Sequence, residues 1–98
     1  MKGYCLFDNV QVHDFNKLEE YKKKAAPLVQ KFGGKYIILG GPFAVVEGSW
    51  KPTFLVMIEF PTYEKANEWY MSPEYKEAKA LRLSAVDSNG IIVGGLEV

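Results

Sequence analysis

Hydrophobic and polar residues alternate along the chain in stretches that predict strands and helices in turn. Residues 2–12 are rich in β-branched and aromatic side chains and predict a first strand. From Phe15 onward, apolar residues recur every three or four positions, which is the spacing of an amphipathic helix. We expect Asp14 to cap this helix at its start, Pro27 to kink or divide it, and Gly33 to end it in a left-handed conformation.

The middle of the chain predicts two strands in direct succession. Residues 35–47 form the second strand, and Gly40-Gly41-Pro42 should bend it because proline lacks the backbone donor and glycine weakens pairing. We expect this bend to carry the strand toward a second subunit. After a turn at residues 48–52, residues 53–60 form a third strand whose apolar residues do not alternate with polar ones, which predicts cover on both faces.

The last third of the chain predicts a helix in two parts and a short strand. Thr62 and Ser72 are each placed to cap a helical segment, and the second segment should run to about Val86. We expect a turn at Ser88-Asn89-Gly90 and a fourth strand over residues 91–93.

The element order βαββαβ predicts an α+β fold of the ferredoxin-like type, as one domain over residues 1–98. Strands one and three are central in that arrangement, and the helices cover one face of the sheet. The other face needs a cover that this chain does not supply, so we expect a homodimer built on the sheet faces.

Charge and composition narrow the range of partners. Lysine plus arginine and aspartate plus glutamate each total 12, so no basic excess favours nucleic acid. No apolar stretch approaches the ~20 residues of a membrane span, and the first residues lack a secretory signal pattern, so we expect a cytoplasmic protein. The single cysteine, Cys5, allows no intrachain disulfide and is expected to be a small buried hydrophobe.

A combination of short motifs resembles the domain-of-unknown-function 1330 family of bacterial proteins. The resemblance covers nearly the whole chain and rests on Phe32-Gly33-Gly34-Lys35, Gly40-Gly41-Pro42, Glu47-Gly48-Ser49-Trp50-Lys51-Pro52, Ile58-Glu59-Phe60-Pro61, Ala66, Trp69-Tyr70, Ser72-Pro73-Glu74-Tyr75 and Arg82. It implies a dimeric α/β barrel, in which two ferredoxin-like sheets close on each other. The wider superfamily includes cofactor-free monooxygenases, muconolactone isomerases, chlorite dismutases and haem-degrading enzymes, whereas the family itself has no agreed reaction.

Arg82 is the first candidate for a ligand contact. Its neighbours on the helical wheel are apolar or aromatic, and no acid on its own helix is placed to pair with it. An arginine on a buried face needs an anionic partner, which is either Glu59, Glu47, a residue of the other subunit, or the carboxylate or enolate of a ligand. We expect the guanidinium to point into a cavity between the sheet and the second helix, close to Tyr70 or Glu59.

Glu59 and His13 are candidates for proton transfer. Glu59 stands in an otherwise apolar strand, so it is either a general base with a raised pKa or a salt-bridge partner. His13 is the only histidine and follows the first strand, where it is either a surface residue or an acid–base group. One histidine cannot form a zinc site of the usual ligand count, so we expect no metal.

Trp69 and Tyr70 share one arc of the second helix with Ala66. Aromatic residues at this spacing form a core or, where a pocket exists beside the sheet, its wall. No glycine-rich phosphate loop and no Ser-His-acid grouping is present, so Ser72 is read as a helix cap and no cofactor is expected. Three functions stay open: a cofactor-free enzyme of proton-transfer or oxygenation type acting on a small aromatic or carboxylate ligand, a non-enzymatic binding or sensing module, and a structural homodimer.

Overall fold

The computed structural model describes residues 1–97 and contains four strands and three helices. They are β1 (Gly3–Val12), α1 (Phe15–Lys31), β2 (Lys35–Leu39), β3 (Leu55–Phe60), α2 (Tyr63–Met71), α3 (Pro73–Ala85) and β4 (Val86–Gly94). The strands form one antiparallel sheet in the order β2-β3-β1-β4. The ferredoxin-like α+β fold and the central place of β1 and β3 are therefore confirmed.

The predicted helix boundaries are confirmed by their caps. Asp14, Thr62 and Ser72 each accept a hydrogen bond from the backbone N–H three residues further on, at 3.0, 3.0 and 3.2 Å. Gly33 has a φ of 82°, the left-handed conformation expected after the helix end. Pro27 does not divide α1, which continues through it as a single helix. Proline removes one backbone bond, and the burial of Ala25 and Val29 on either side of it holds the helix together.

The core lies between the helices and one face of the sheet. Strand side chains alternate between faces, so every second residue of β1 and β3 points toward the helices. The core residues are Cys5, Phe7, Val56, Ile58 and Phe60 from the strands, with Ala25, Val29, Ala66, Trp69, Tyr75 and Ala78 from the helices. Trp69 is completely buried at its centre, with its ring centroid 4.4 Å from that of Tyr75 and 5.3 Å from that of Phe60.

The second predicted strand is shorter than expected. It ends at Leu39, and Gly40 turns the chain away with a φ of 66°, so Gly40-Gly41-Pro42 ends the strand rather than bending it. Residues 40–54, which we name the β2–β3 loop, contain no helix or strand. β3 begins at Leu55 rather than Thr53, because the backbone N–H groups of Thr53 and Phe54 are taken by the Asp8 carboxylate.

The fourth strand is longer than expected. β4 begins at Val86, and Ser88-Asn89-Gly90 pairs with β1 instead of turning. Gly90 is needed for packing here, since a Cβ at this position would lie 2.6 Å from Cδ1 of Phe7, which lies against it. Pairing with a central strand thus overrides the local turn signal of these residues.

The second face of the sheet carries apolar side chains that no helix covers. The alternate residues of the strands present Leu6, Leu55, Met57, Ile91 and Val93 there. Leu55 and Met57 are half-buried, whereas Ile91 and Val93 are 56% and 44% exposed, so the cover expected on both faces of β3 is incomplete within one chain. Among residues 1–97, no helix is both long and apolar enough to cross a membrane.

Candidate ligand-binding cleft

A cleft of about 850 Å³ opens between α1 and the helix-covered face of the sheet. α1 packs mainly against α3, and only the second half of α1 contributes fully buried residues to the core. Residues from its first half, Phe15 and Leu18, line the open space instead. The walls are formed by Phe15, Leu18 and Tyr21 from α1, by Phe7, Tyr36, Leu39, Val56 and Ile58 from the sheet, and by Phe54 from the β2–β3 loop.

Arg82 reaches the inner end of this cleft from α3. It is only 4% exposed and lies on the buried arc of its helix, as predicted. Its Nη2 donates hydrogen bonds of 2.8 Å to Oδ1 of Asn9 and of 2.8 Å to Oγ of Ser88, which face each other across β1 and β4. The guanidinium carbon lies 4.6 Å from the ring centroid of Phe7, a cation–π contact.

The structure does not pair Arg82 with an acid. Among residues 1–97, no carboxylate forms an ion pair with its guanidinium, so the ion pairs expected with Glu59 or Glu47 are not formed within this chain. Glu47 lies exposed in the β2–β3 loop. Glu59 points to the opposite face of the sheet, because Ile58 and Phe60 on either side of it take the inward positions of β3.

Glu59 is a partly buried residue that forms salt bridges, and its pKa is lowered rather than raised. Its carboxylate lies 3.1 Å from Nζ of Lys2 and 3.2 Å from Nζ of Lys35, and it accepts a hydrogen bond of 3.3 Å from the Tyr4 hydroxyl. The hydrogen bond from Lys2, followed by that from Lys35, lowers the pKa of Glu59 below its ordinary value. Of the two alternatives, these contacts favour the salt-bridge partner, with two lysines in place of Arg82.

His13 lies at the surface, outside the cleft. Its Nε2 is 2.9 Å from Oδ2 of Asp87, and the two side chains are 45% and 65% exposed. This position agrees with the alternative of a surface histidine.

Trp69 and Tyr70 lie behind the cleft and do not line it. The cleft lies between α1 and the sheet, and Arg82 is its lining residue from the predicted two-part helix. Tyr70 stacks on Phe7 with the ring centroids 6.3 Å apart, and Trp69 meets the edge of the same ring at 6.5 Å. The two residues therefore pack against Phe7, the ring that makes the cation–π contact with Arg82.

Three tyrosines that the sequence analysis did not single out surround the cleft or adjoin it. Tyr21 and Tyr36 line it, and the Tyr21 hydroxyl lies 3.0 Å from that of the completely buried Tyr75. Burial raises the pKa of Tyr21 and of Tyr75 and raises that of Tyr36 to about 12, while the charge of Arg82 acts in the opposite direction on all three. At neutral pH these phenols are therefore protonated hydrogen-bond donors.

Positive charge dominates the inner end of the cleft. Besides Arg82, its charged lining residues are Glu19 and Lys22, which pair with each other at 3.0 Å on exposed positions of α1. Within residues 1–97, no three histidine, cysteine, aspartate or glutamate side chains converge in a way that could hold a metal ion. The arrangement combines one buried cation, phenol donors and apolar walls, which suits an organic anion.

Comparison with known proteins gives a family and a fold. Residues 2–96 match the family described as "Domain of unknown function (DUF1330)". No curated protein matches the sequence. A protein of unknown function from Rhodopseudomonas palustris is 20% identical, with a TM-score of 0.71, over 99% of this chain and 84% of its own.

Two further solved structures share the architecture. A dimeric ferredoxin-like protein of unknown function from Jannaschia sp. CCS1 is 10% identical, with a TM-score of 0.73, over 97% of this chain and 100% of its own. A candidate antibiotic biosynthesis monooxygenase from Caulobacter crescentus CB15 is 12% identical, with a TM-score of 0.61, over 98% of this chain and 90% of its own. At these identities the similarity establishes the fold alone.

Proposed function

We propose, for a chain that belongs to the DUF1330 family of unknown function, that the cleft between α1 and the sheet binds a small organic anion. Arg82 carries the proposal. It is a buried guanidinium whose hydrogen bonds, among the described residues, go to two neutral oxygens and not to a carboxylate. Removing a charge from water is costly unless it is paired, so an anionic ligand at Arg82 would supply the missing partner.

The walls of the cleft indicate the rest of the ligand. Phenylalanine, leucine, isoleucine and valine side chains surround the space, and its volume of about 850 Å³ lies within the range of small-molecule sites. The ligand we propose is therefore a carboxylate or enolate on an aromatic or similarly apolar body. Arginine suits such a group because its planar fork matches two oxygens of a carboxylate.

Cofactor-free catalysis at the same site is the second candidate. Arg82 and the protonated phenols could stabilise an oxyanion that develops in a bound substrate, as proton abstraction beside a carbonyl or attack of oxygen on an enolate would require. The candidate monooxygenase from Caulobacter crescentus has the same fold, which makes oxygenation the first reaction to assay. Binding without turnover would instead indicate a binding or sensing module.

The anion site is tested by titrating the protein with 2-naphthoate and following amide shifts by NMR. We expect Arg82→Met to weaken binding at least ~10-fold, because charge-assisted hydrogen bonds to the ligand are lost. Arg82→Lys should recover part of the affinity, since it keeps the charge without the planar fork. Lys79→Met is the matched control, because Lys79 is a cation held over the Tyr70 ring outside the cleft lining. Equal affinity in wild type and Arg82→Met, or no binding by wild type, would refute the site.

We also propose that two copies pair through the open sheet face as a dimeric α/β barrel. Apolar side chains occupy much of this face, with the ion pairs of Glu59 toward the end of β3. The β2–β3 loop beside it exposes Phe43, Val46 and Trp50 by 48%, 85% and 55%. Contiguous apolar surface of this kind marks an interaction site, and the similar Jannaschia protein is described as dimeric. The neutral charge balance gives no support to nucleic acid as the occupant of this face.

We place this single-domain protein in the cytoplasm, where its one thiol would stay reduced.

Sedimentation velocity tests the pairing. Ile91→Lys puts a charge in the middle of the open face and should give monomers at micromolar concentration, where wild type sediments as a dimer. Leu83→Lys is the matched control, because Leu83 is 55% exposed on α3 and belongs to no strand of the sheet. A monomeric wild type, or an Ile91→Lys variant that remains dimeric, would overturn the interface.

A further inference from the structure

The hydroxyl groups of Tyr21 and Tyr75 form a hydrogen-bonded pair, and Tyr21 lines the same cleft as Arg82. They lie 3.0 Å apart, and the charge of Arg82 lowers the pKa of both phenols against the larger effect of burial. Their burial differs: Tyr75 is completely buried, whereas Tyr21 is half-buried and lines the cleft. This difference determines how the two protons are arranged.

The complete burial of Tyr75 favours its hydroxyl as the donor of the pair. Among residues 1–97, its hydrogen-bond partner is the Tyr21 oxygen. If Tyr21 donated instead, the proton of Tyr75 would be buried without an acceptor, which is costly. With Tyr75 as donor, the buried hydroxyl is satisfied and the proton of Tyr21 is left free to point toward the cleft.

We propose that the Tyr21 hydroxyl is the second donor to the acidic group of the ligand and that Tyr75 orients this hydroxyl. The ligand class is therefore a carboxylate, whose two oxygens provide acceptors for both donors. The proposal rests on the anion site at Arg82. The guanidinium donates to the carboxylate through N–H groups other than those of Nη2, and the Tyr21 hydroxyl donates to a lone pair that the guanidinium leaves free. Tyr75 acts only through Tyr21, so it is a positioning residue.

A double-mutant cycle with 2-naphthoate tests the proposal. Tyr21→Phe should weaken binding about 10-fold, because a hydrogen bond to a charged oxygen is lost. Tyr75→Phe should weaken it about threefold, because the hydroxyl of Tyr21 loses its orienting donor. The double variant should bind no more weakly than Tyr21→Phe, since Tyr75 has nothing left to orient. Tyr4→Phe is the matched control, because it removes a hydrogen-bonded hydroxyl from the other face of the sheet.

A measurement without ligand tests the direction of the hydrogen bond. In protein labelled with ¹³C at tyrosine Cζ, the hydroxyl proton of Tyr75 should exchange slowly with solvent and that of Tyr21 quickly. A protected Tyr21 proton with a fast-exchanging Tyr75 proton would overturn the donor assignment, and the proposal with it.

The outcomes separate this proposal from the anion site itself. If Tyr21→Phe binds 2-naphthoate as wild type does while Arg82→Met does not, the second donor is refuted and the anion site stands. If both variants bind 2-naphthoate as wild type does, the anion site is refuted, and the role of Tyr21 as second donor is refuted with it. If Tyr75→Phe weakens binding equally in the presence and absence of the Tyr21 hydroxyl, its role is packing and the positioning role is refuted.

Discussion

Replacing Arg82 by methionine should leave the unliganded protein about as stable as wild type. Methionine keeps most of the apolar length of the side chain and removes a charge that is buried without an acidic partner among the described residues. The oxygens of Asn9 and Ser88 that lose their donor belong to half-buried residues next to the open cleft, so water can replace the guanidinium there.

The magnitude follows from two opposing contributions. The two hydrogen bonds and the contact with the Phe7 ring together stabilise the fold by about 4 kcal/mol. Desolvation of the guanidinium costs several kcal/mol in return. We therefore expect the free energy of unfolding of Arg82→Met to lie within about 1 kcal/mol of wild type, which is a Tm shift of less than ~8 °C.

Thermal and urea unfolding at one fixed protein concentration measure this difference, since any dimer would make Tm depend on concentration. Trp69→Ala is the reference for a true core loss and should cost about 3–5 kcal/mol, because Trp69 is completely buried. If Arg82→Met also lost about 3–5 kcal/mol, lowering Tm by more than ~12 °C, Arg82 would be a structural cation with a buried counter-charge, and the reasoning would be refuted.

Three further predictions concern groups outside the cleft. Cys5 is completely buried, and burial raises the pKa of its thiol to about 12. The thiol should therefore resist a thiol reagent in the native protein, and one equivalent should react after denaturation. Rapid labelling of the native protein would contradict this expectation. The pKa of Glu59 is lowered by Lys2 and Lys35, so its ion pairs stabilise the fold fully above pH 4.5 and lose this effect as pH falls through the lower folded value. The Tm difference between wild type and Glu59→Gln should therefore be positive at neutral pH and vanish in acid, and a difference that grows in acid would contradict the sign. Asp8 is 4% exposed, and its carboxylate accepts three hydrogen bonds from the β2–β3 loop. Asp8→Ala should therefore lower the free energy of unfolding by about 2 kcal/mol and make this loop easier to cleave with protease. Unchanged cleavage would contradict the anchoring role of Asp8.

Element order and helix ends could be predicted from the sequence because their causes are local. A cap such as Ser72 needs only its own side chain and the backbone N–H three residues on, so the residue types are sufficient evidence. Strand ends were less predictable because distant residues decide them. Gly90 is a turn residue by type, yet it lies in β4 because its backbone pairs with Phe7 of the central strand β1.

The candidate site was predictable for one residue and not for its surroundings. The helical wheel placed Arg82 on the buried side of α3, since that depends on one periodicity. Its acceptors depend on the register of β1 against β4, which brings Asn9 opposite Ser88 and cannot be read from either segment alone. Tyr21 was also missed, because a half-buried tyrosine on an amphipathic helix has the same pattern as an ordinary core residue.

The alternation of side chains along β1 has a consequence for how sequences of this fold can change in length. Phe7 faces the cleft and Asp8 holds the β2–β3 loop on the other side, so inserting one residue before them would exchange their faces and disrupt both. Residues 41–47 belong to no strand or helix and are exposed throughout, and lengthening such a loop costs little free energy. Insertions and deletions among family members should therefore collect at residues 41–47, which do not line the cleft, and would alter the surroundings of the open sheet face.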